Sequence, residues 1–406
     1  MKKIYVKICI YQALFFISIH PVGNQLHPFA THIGPLFRAA IASTGPILEL
    51  GTGNSSTTML HAIAISQNRT LVSVDNNLDW LNLFLDYNRG LHSFMYVPPP
   101  FNSWGNIGIH NLWGLVFIDH APGEDRKKAI SRLRNNADIL VIHDTEFHGY
   151  EYKSIATTFK YHTNITHITP ETGVLSDSID VTQLFPPQIS TPVFRKPDFF
   201  SEQTRYSSRK KRPKKIPPTN AQTITRYTAP TISSEGLNYC SHIDPIVRAG
   251  LKTHGPILEI GCGNVSTSIL GAISDQYHRP LVSLDPCIAW LQFFSPYTTP
   301  LHTFVHYQSP EDLDKILKKQ KWELICIDHR PDISPKIGSL LTYEVLEKQT
   351  DIVLLHCPSE TYSTIYESLS KKFTFVYCYN RYSPHTYIMS NVIDIREWFK
   401  DLAYAP

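Results

Sequence analysis

The chain has no Cys-x-x-Cys pair among its seven cysteines, so the usual spacings of a zinc ribbon or a thioredoxin-type redox site are missing. Six of the seven lie beyond residue 203, several inside apolar strand-like runs, and are expected to be buried free thiols. Long hydrophobic runs are scarce as well. Ile8–Ile19, preceded by Lys2, Lys3 and Lys7, is too short to cross a bilayer as a regular helix, and no convincing small-x-small cleavage site follows it. Residues 1–24 therefore read as a targeting-like segment, with an export signal, a membrane-surface anchor and a misassigned start codon all open. Charge of one sign is not spread over the chain. The net charge is only +3, and residues 186–235 hold ten Lys/Arg against three Asp/Glu, which leaves the remainder net negative. That segment is rich in Pro, Ser and Thr and has no period, so it is expected to be an exposed linker. Its run Arg209–Lys215 carries no interleaved aromatic to stack on bases, and no specific nucleic-acid partner is expected.

What is present is present twice. Gly45-Pro46-Ile47-Leu48-Glu49-Leu50-Gly51-Thr52-Gly53-Asn54 returns as Gly255-Pro256-Ile257-Leu258-Glu259-Ile260-Gly261-Cys262-Gly263-Asn264. An offset of 210 carries His32 to His242, Arg38 to Arg248, Asp75 to Asp285 and Trp80 to Trp290. Trp113–His120 reappears as Trp322–His329, and Asp138–Asp144 as Asp351–Cys357. So long a period means tandem domains and not solenoid units. The expected organisation is 25–185, the linker 186–235, and 236–406, the last departing further from the pattern.

Within each copy, short apolar runs alternate with helix-compatible stretches, which predicts an α/β, doubly wound, Rossmann-like sheet. In the first copy strands are expected near 46–50, 71–75, 114–119 and 138–143. Helices are expected over 33–43, 56–66, 78–87, 125–135 and 148–160. Runs near 165–169 and 174–181 would finish the sheet, and 91–111 shows no clear pattern.

The glycine turn sits where a strand ends and a helix begins, a place for a ligand to meet backbone N–H groups. A dinucleotide fingerprint needs a third glycine, but Ser56 and Ser266 stand there. Glu49-Leu50-Gly51-Thr52-Gly53 and Glu259-Ile260-Gly261-Cys262-Gly263 instead resemble the acidic-x-Gly-x-Gly opening of class I S-adenosylmethionine (SAM)-dependent methyltransferases. The resemblance covers roughly 31–184 and 241–402. It implies cofactor contacts from Glu49, Gly51, Gly53, Asn54 and Asp75, and from Glu259, Gly261, Gly263, Asn264 and Asp285. Asp75 is placed to accept ribose hydroxyls, or alternatively to cap the helix after it.

Leu115–His120 followed by Asp138–Asp144 is similar to the corresponding strands of catechol O-methyltransferase and its metal-dependent relatives. That likeness implies Asp119 and Asp144 as Mg²⁺ ligands, with Glu146 as a weak third. The family's lysine is replaced by Pro122 and its asparagine by Thr145, so His120 or His143 would act as base. In the second copy Cys357 replaces the second acid, and a lone thiol suits Mg²⁺ poorly. Two functions follow as expectations: methyl transfer from SAM to a small-molecule oxygen acceptor by the first copy, or a non-catalytic pair of nucleoside-binding modules. Free cysteines and a cytosolic cofactor favour a cytosol-facing protein, with membrane association through the N-terminus.

Overall fold

The computed structural model describes residues 31–98, 101–166, 169–185, 241–294, 299–328, 343–356, 366, 369–382 and 384–402. The N-terminal segment, the basic linker, His329 and Cys357 lie outside them. Among the described residues, no helix is long and apolar enough to cross a membrane.

The first half runs α1 (Ile33–Ala42), β1 (Ile47–Leu50), α2 (Ser56–Gln67), β2 (Leu71–Asp75), α3 (Leu78–Asn82), β3 (His92–Tyr96), β4 (Trp113–Ile118), α4 (Arg126–Leu133), β5 (Ala137–His143), α5 (Tyr152–Ala156), β6 (Tyr161–Ile165) and β7 (Thr172–Ser176). Its sheet has the order β3-β2-β1-β4-β5-β7-β6. Strands β1 to β5 pair in parallel, and β7 lies antiparallel between β5 and β6. β1 and β4 are buried along their whole length, as central strands covered on both faces should be.

The second half repeats the plan. It runs α6 (Ile243–Lys252), β8 (Ile257–Ile260), α7 (Ser266–Gln276), β9 (Leu281–Asp285), α8 (Ile288–Phe294), β10 (His302–His306), α9 (Pro310–Leu317), β11 (Trp322–Ile327), α10 (Tyr343–Gln349), β12 (Thr350–His356), β13 (Phe375–Tyr379) and β14 (Thr386–Ser390). The order β10-β9-β8-β11-β12-β14-β13 matches the first sheet position for position. Both halves have a Rossmann-like, doubly wound α/β arrangement.

The differences from the sequence expectations have local causes. β3 was hidden because it is an edge strand, with buried His92 and mostly exposed successors, and so offers no continuous apolar run. The helix expected over 78–87 breaks after Asn82 into a 3₁₀ turn at Leu85–Tyr87. The strand expected near 165–169 is Tyr161–Ile165, a half-buried edge strand with an alternating polar sequence.

The halves share one core. α2 packs on α6 and α1 on α7, and a single buried cluster includes Phe37, Leu60 and Ile63 together with Val247, Leu270 and Ile273. Polar contacts cross the same seam. Tyr87 and Tyr379 hydroxyls meet at 2.8 Å, Arg38 pairs with Asp275 at 2.8 Å, and Arg381 pairs with Asp86 at 3.1 Å. Arg381 also lies over the Tyr87 ring at 3.8 Å, a cation–π contact.

Candidate functional site

Strand β1 ends at Leu50 and the chain turns at Gly51, whose φ is +93°. A Cβ there would meet the carbonyl carbon and oxygen of Asp119 at 2.6 Å, so the turn can lie against the end of β4 only with glycine in place. Gly261 repeats this with φ +91°.

The turn's N–H groups are already committed. Gly51 N–H donates to Val74 O (2.8 Å), Thr52 N–H to Asp75 Oδ2 (2.7 Å), and Gly53 N–H to Thr57 Oγ1 (2.9 Å). A ligand would therefore meet these residues by close backbone approach and not through free donors. Asp75 is engaged too: Oδ2 also accepts from Thr52 Oγ1 (2.8 Å), and Oδ1 accepts from Asn77 N (2.8 Å). Since a carboxylate has about four lone-pair directions, one remains on Oδ1. Asp285 does the same for Cys262 N (2.9 Å) and Cys287 N (2.7 Å), and burial pushes its carboxyl up to about 6.

Glu49 and Glu259, expected as cofactor contacts, are instead fully buried beneath their turns. Glu49 accepts from Thr57 Oγ1 (3.0 Å) and Ser73 Oγ (2.5 Å), and Glu259 from Thr267 Oγ1 (2.9 Å) and Ser283 Oγ (2.6 Å). Each ties its first strand to the helix N-terminus and the second strand. Burial raises both carboxyls to about 8. Asn54 and Asn264 behave differently. Each has a buried amide oxygen without a hydrogen-bond partner among the described residues.

The expected Mg²⁺ site is not formed. Arg126, from the first turn of α4, lies between the two acids and pairs with Asp119 Oδ1 (3.0 Å) and Asp144 Oδ2 (2.9 Å). The same guanidinium donates to the carbonyls of His120 (2.9 Å) and His143 (3.0 Å), knitting the ends of β4 and β5. It supplies, between these two acids, the positive charge that a hard cation bridging them would bring. Glu146 is turned away and accepts from Glu171 N (2.8 Å). The sequence reading missed Arg126 because nothing marks one basic side chain in a basic, exposed helix start as the buried one.

The histidines separate clearly. His120 is buried and stacked on Trp104 (4.3 Å), with both ring nitrogens lacking a hydrogen-bond partner among the described residues. Burial, with Arg126 nearby, lowers it to about 3. His143 places Nδ1 3.3 Å from Asp119 Oδ2 and Nε2 3.1 Å from Thr31 Oγ1. Burial opposes its charged form, yet the Asp119 hydrogen bond and charge raise its pKa overall. His32 packs edge-on against His143 at 4.6 Å, and burial lowers it to about 3. Trp80 and Trp290 donate Nε1–H to the carbonyls of Thr52 and Cys262 and so latch the turns. An open hollow lined by Leu291, Gln292, His302 and Phe304 lies over α8 and β10.

No protein-family model matches the chain. No curated protein matches it in sequence. Among solved structures it is similar to human methyltransferase-like protein 13 in complex with SAH, with 12% identity over 40% of this chain and 90% of that one and a TM-score of 0.32. It is also similar to the METTL16 methyltransferase domain, with 10% identity over 38% of this chain and 69% of that one and a TM-score of 0.30. A third is precorrin-6y C5,15-methyltransferase from Geobacter metallireducens, with 15% identity over 35% and 85% of the chains and a TM-score of 0.27.

Proposed function

We propose that the chain is a SAM-dependent methyltransferase whose first half binds the cofactor across the ends of β1 and β2 and serves a small oxygen nucleophile. One observation carries the reading: the orphaned amide oxygen of Asn54 beside the glycine turn, repeated by Asn264. A buried acceptor without a donor costs about 1–3 kcal/mol, which a ligand ammonium or hydroxyl would remove. Gly51 lets the backbone approach a ligand closely, and the remaining lone pair of Asp75 can take one ribose hydroxyl. The bound cofactor would supply an electrophilic methyl group. Of the two candidate bases, His143 has its proton affinity raised, whereas His120 is held neutral and weak. His143 is therefore assigned the proton of the acceptor hydroxyl, with Asp119 orienting its ring.

A second reading is favoured by Arg126, which neutralises both strand-end acids. It is a tandem nucleoside-binding module with an assembly or regulatory role. Calorimetric titration of the full chain with SAM, followed by transfer assays with labelled methyl, separates the two. Binding is expected, and Asp75→Ala should weaken it by about 1.5–3 kcal/mol, the range for hydrogen bonds to charged groups. A folded Asp75→Ala variant with undiminished affinity removes the ribose assignment. Binding without transfer to any small hydroxyl acceptor supports the second reading.

A further inference from the structure

We propose that each half holds a borderline first-row divalent ion of the zinc type, bound by His32, Asp119 and His143 in the first half and by His242, Asp328 and His356 in the second. In each trio one ligand atom per residue lies within 4.8 Å of the others. The three residues come from equivalent places: the N-cap of α1 or α6, the position after β4 or β11, and the last residue of β5 or β12. This set is distinct from the Asp119/Asp144/Glu146 group considered for Mg²⁺.

Four observations point to an ion. His32 and His242 are each 4% exposed, yet neither ring nitrogen of either has a hydrogen-bond partner among the described residues. A buried polar group left in this way is costly, and the chain carries the cost twice at equivalent positions. The second histidine is set up as a ligand. His143 Nε2 lies 3.1 Å from Thr31 Oγ1, and His356 Nε2 lies 2.8 Å from Ser241 Oγ. In the ion-free chain the aspartate holds Nδ1. On metal binding a proton on Nε2, accepted by the hydroxyl, would leave the Nδ1 lone pair for the ion, as metal-bound histidines are commonly oriented. His143 would then act as ligand and not as base.

The spacing also fits. His143 Nδ1 and Asp119 Oδ2 are 3.3 Å apart. Two ligands about 2.0–2.1 Å from a tetrahedral zinc ion stand about 3.3 Å from each other. Arg126 pairs with the other oxygen of Asp119, Oδ1, at 3.0 Å. In the second half His242 Nε2 stands 3.9 Å from Asp328 Oδ2, and His356 Nδ1 stands 2.7 Å from Oδ1. The latter contact is a hydrogen bond that the ion would replace. Lastly, two imidazoles and one carboxylate suit zinc, cobalt or iron, whereas magnesium prefers oxygen alone. The aspartate side chains are 25% and 21% exposed, so an ion would enter from the carboxylate side and keep a coordination position open.

The test is a titration of the chelator-stripped full chain with Co²⁺, read by its visible ligand-field absorption and by bound metal per chain. Two ions per chain are expected. His32→Ala and His242→Ala should each remove one, and Glu146→Gln should remove none. Because a histidine change in the core can unfold a half, thermal melts of the unaltered chain provide a second reading. Zn²⁺ should raise the melting temperature, and Mg²⁺ at the same concentration should not. The proposal is overturned if cobalt gives no ligand-field band and zinc no thermal shift. It is overturned equally if the double variant His32→Ala/His242→Ala, still folded, retains both ions, because other histidines would then be the ligands.

Discussion

At the scale of residues, the glycine turns rest on two buried acids whose protonation should be measurable. A carboxyl whose native pKa is raised holds its proton to higher pH than the same group in the unfolded chain. The stability that it contributes is full below the unfolded value and is lost as pH rises through the folded one. Glu49 and Glu259 thus make the protein less stable as pH climbs from about 4.5 to about 8. Buried His32, His120 and His242, lowered to about 3, act in the opposite sense below 6.5, where the unfolded chain takes up their protons. Above 6.5 only His143, whose raised pKa acts in the same sense, joins the acids, so their share is read from the difference between the parent and a variant lacking both acids. Melting temperature should fall between pH 6.5 and about 8, and Glu49→Gln/Glu259→Gln should flatten the fall; an unchanged slope in that variant would place the titration elsewhere. The residues of the turn were legible in the sequence, but the role of its acid was not. Glutamate at that position reads equally well as a ligand contact or as a buried brace, and only burial separates the two. Arg126 was harder still, since its partners Asp119 and Asp144 lie on two other elements.

Among the elements, the junction between β1 and α2 is the one whose geometry the sequence dictates most tightly. Gly51 is both left-handed in φ and pressed against the Asp119 carbonyl. Gly51→Ala should therefore cost at least about 2 kcal/mol, combining backbone strain with displacement of the end of β4. Chemical denaturation checks this, and a loss below 0.5 kcal/mol, the ordinary scatter of surface changes, would mean that the turn relaxes freely. The central strands were readable because burial on both faces makes them continuous apolar runs. β3 and β6 were not, because edge strands keep polar and exposed residues whose pattern resembles a loop. The helix break after Asn82 had no sequence signal strong enough to place it.

Over the whole molecule, the two sheets are not beads on a tether. The repeat and the linker point to tandem domains but carry no sign of what the helices cover. α1, α2, α6 and α7 bury their apolar faces on one another across the seam. A polar chain also crosses it. Glu49 is bonded to Ser73, Ser73 to His92, His92 to His61, and His61 to Asp401, which pairs with Arg248 of α6. The second half has Gly271 where the first has His61, so this connection runs from one glycine turn only. Such a seam holds the two turns in a fixed relation, and both can be examined in one experiment on the intact chain. Hydrogen–deuterium exchange of the full-length protein with and without SAM is the most direct test that the glycine turn is a cofactor site. The account predicts slowed exchange in peptides spanning Gly51–Thr57 and Asp75–Trp80, with the rest of the first sheet unchanged. Saturating SAM that leaves both segments at their unliganded rates, or that protects only a surface away from the turns, would contradict it.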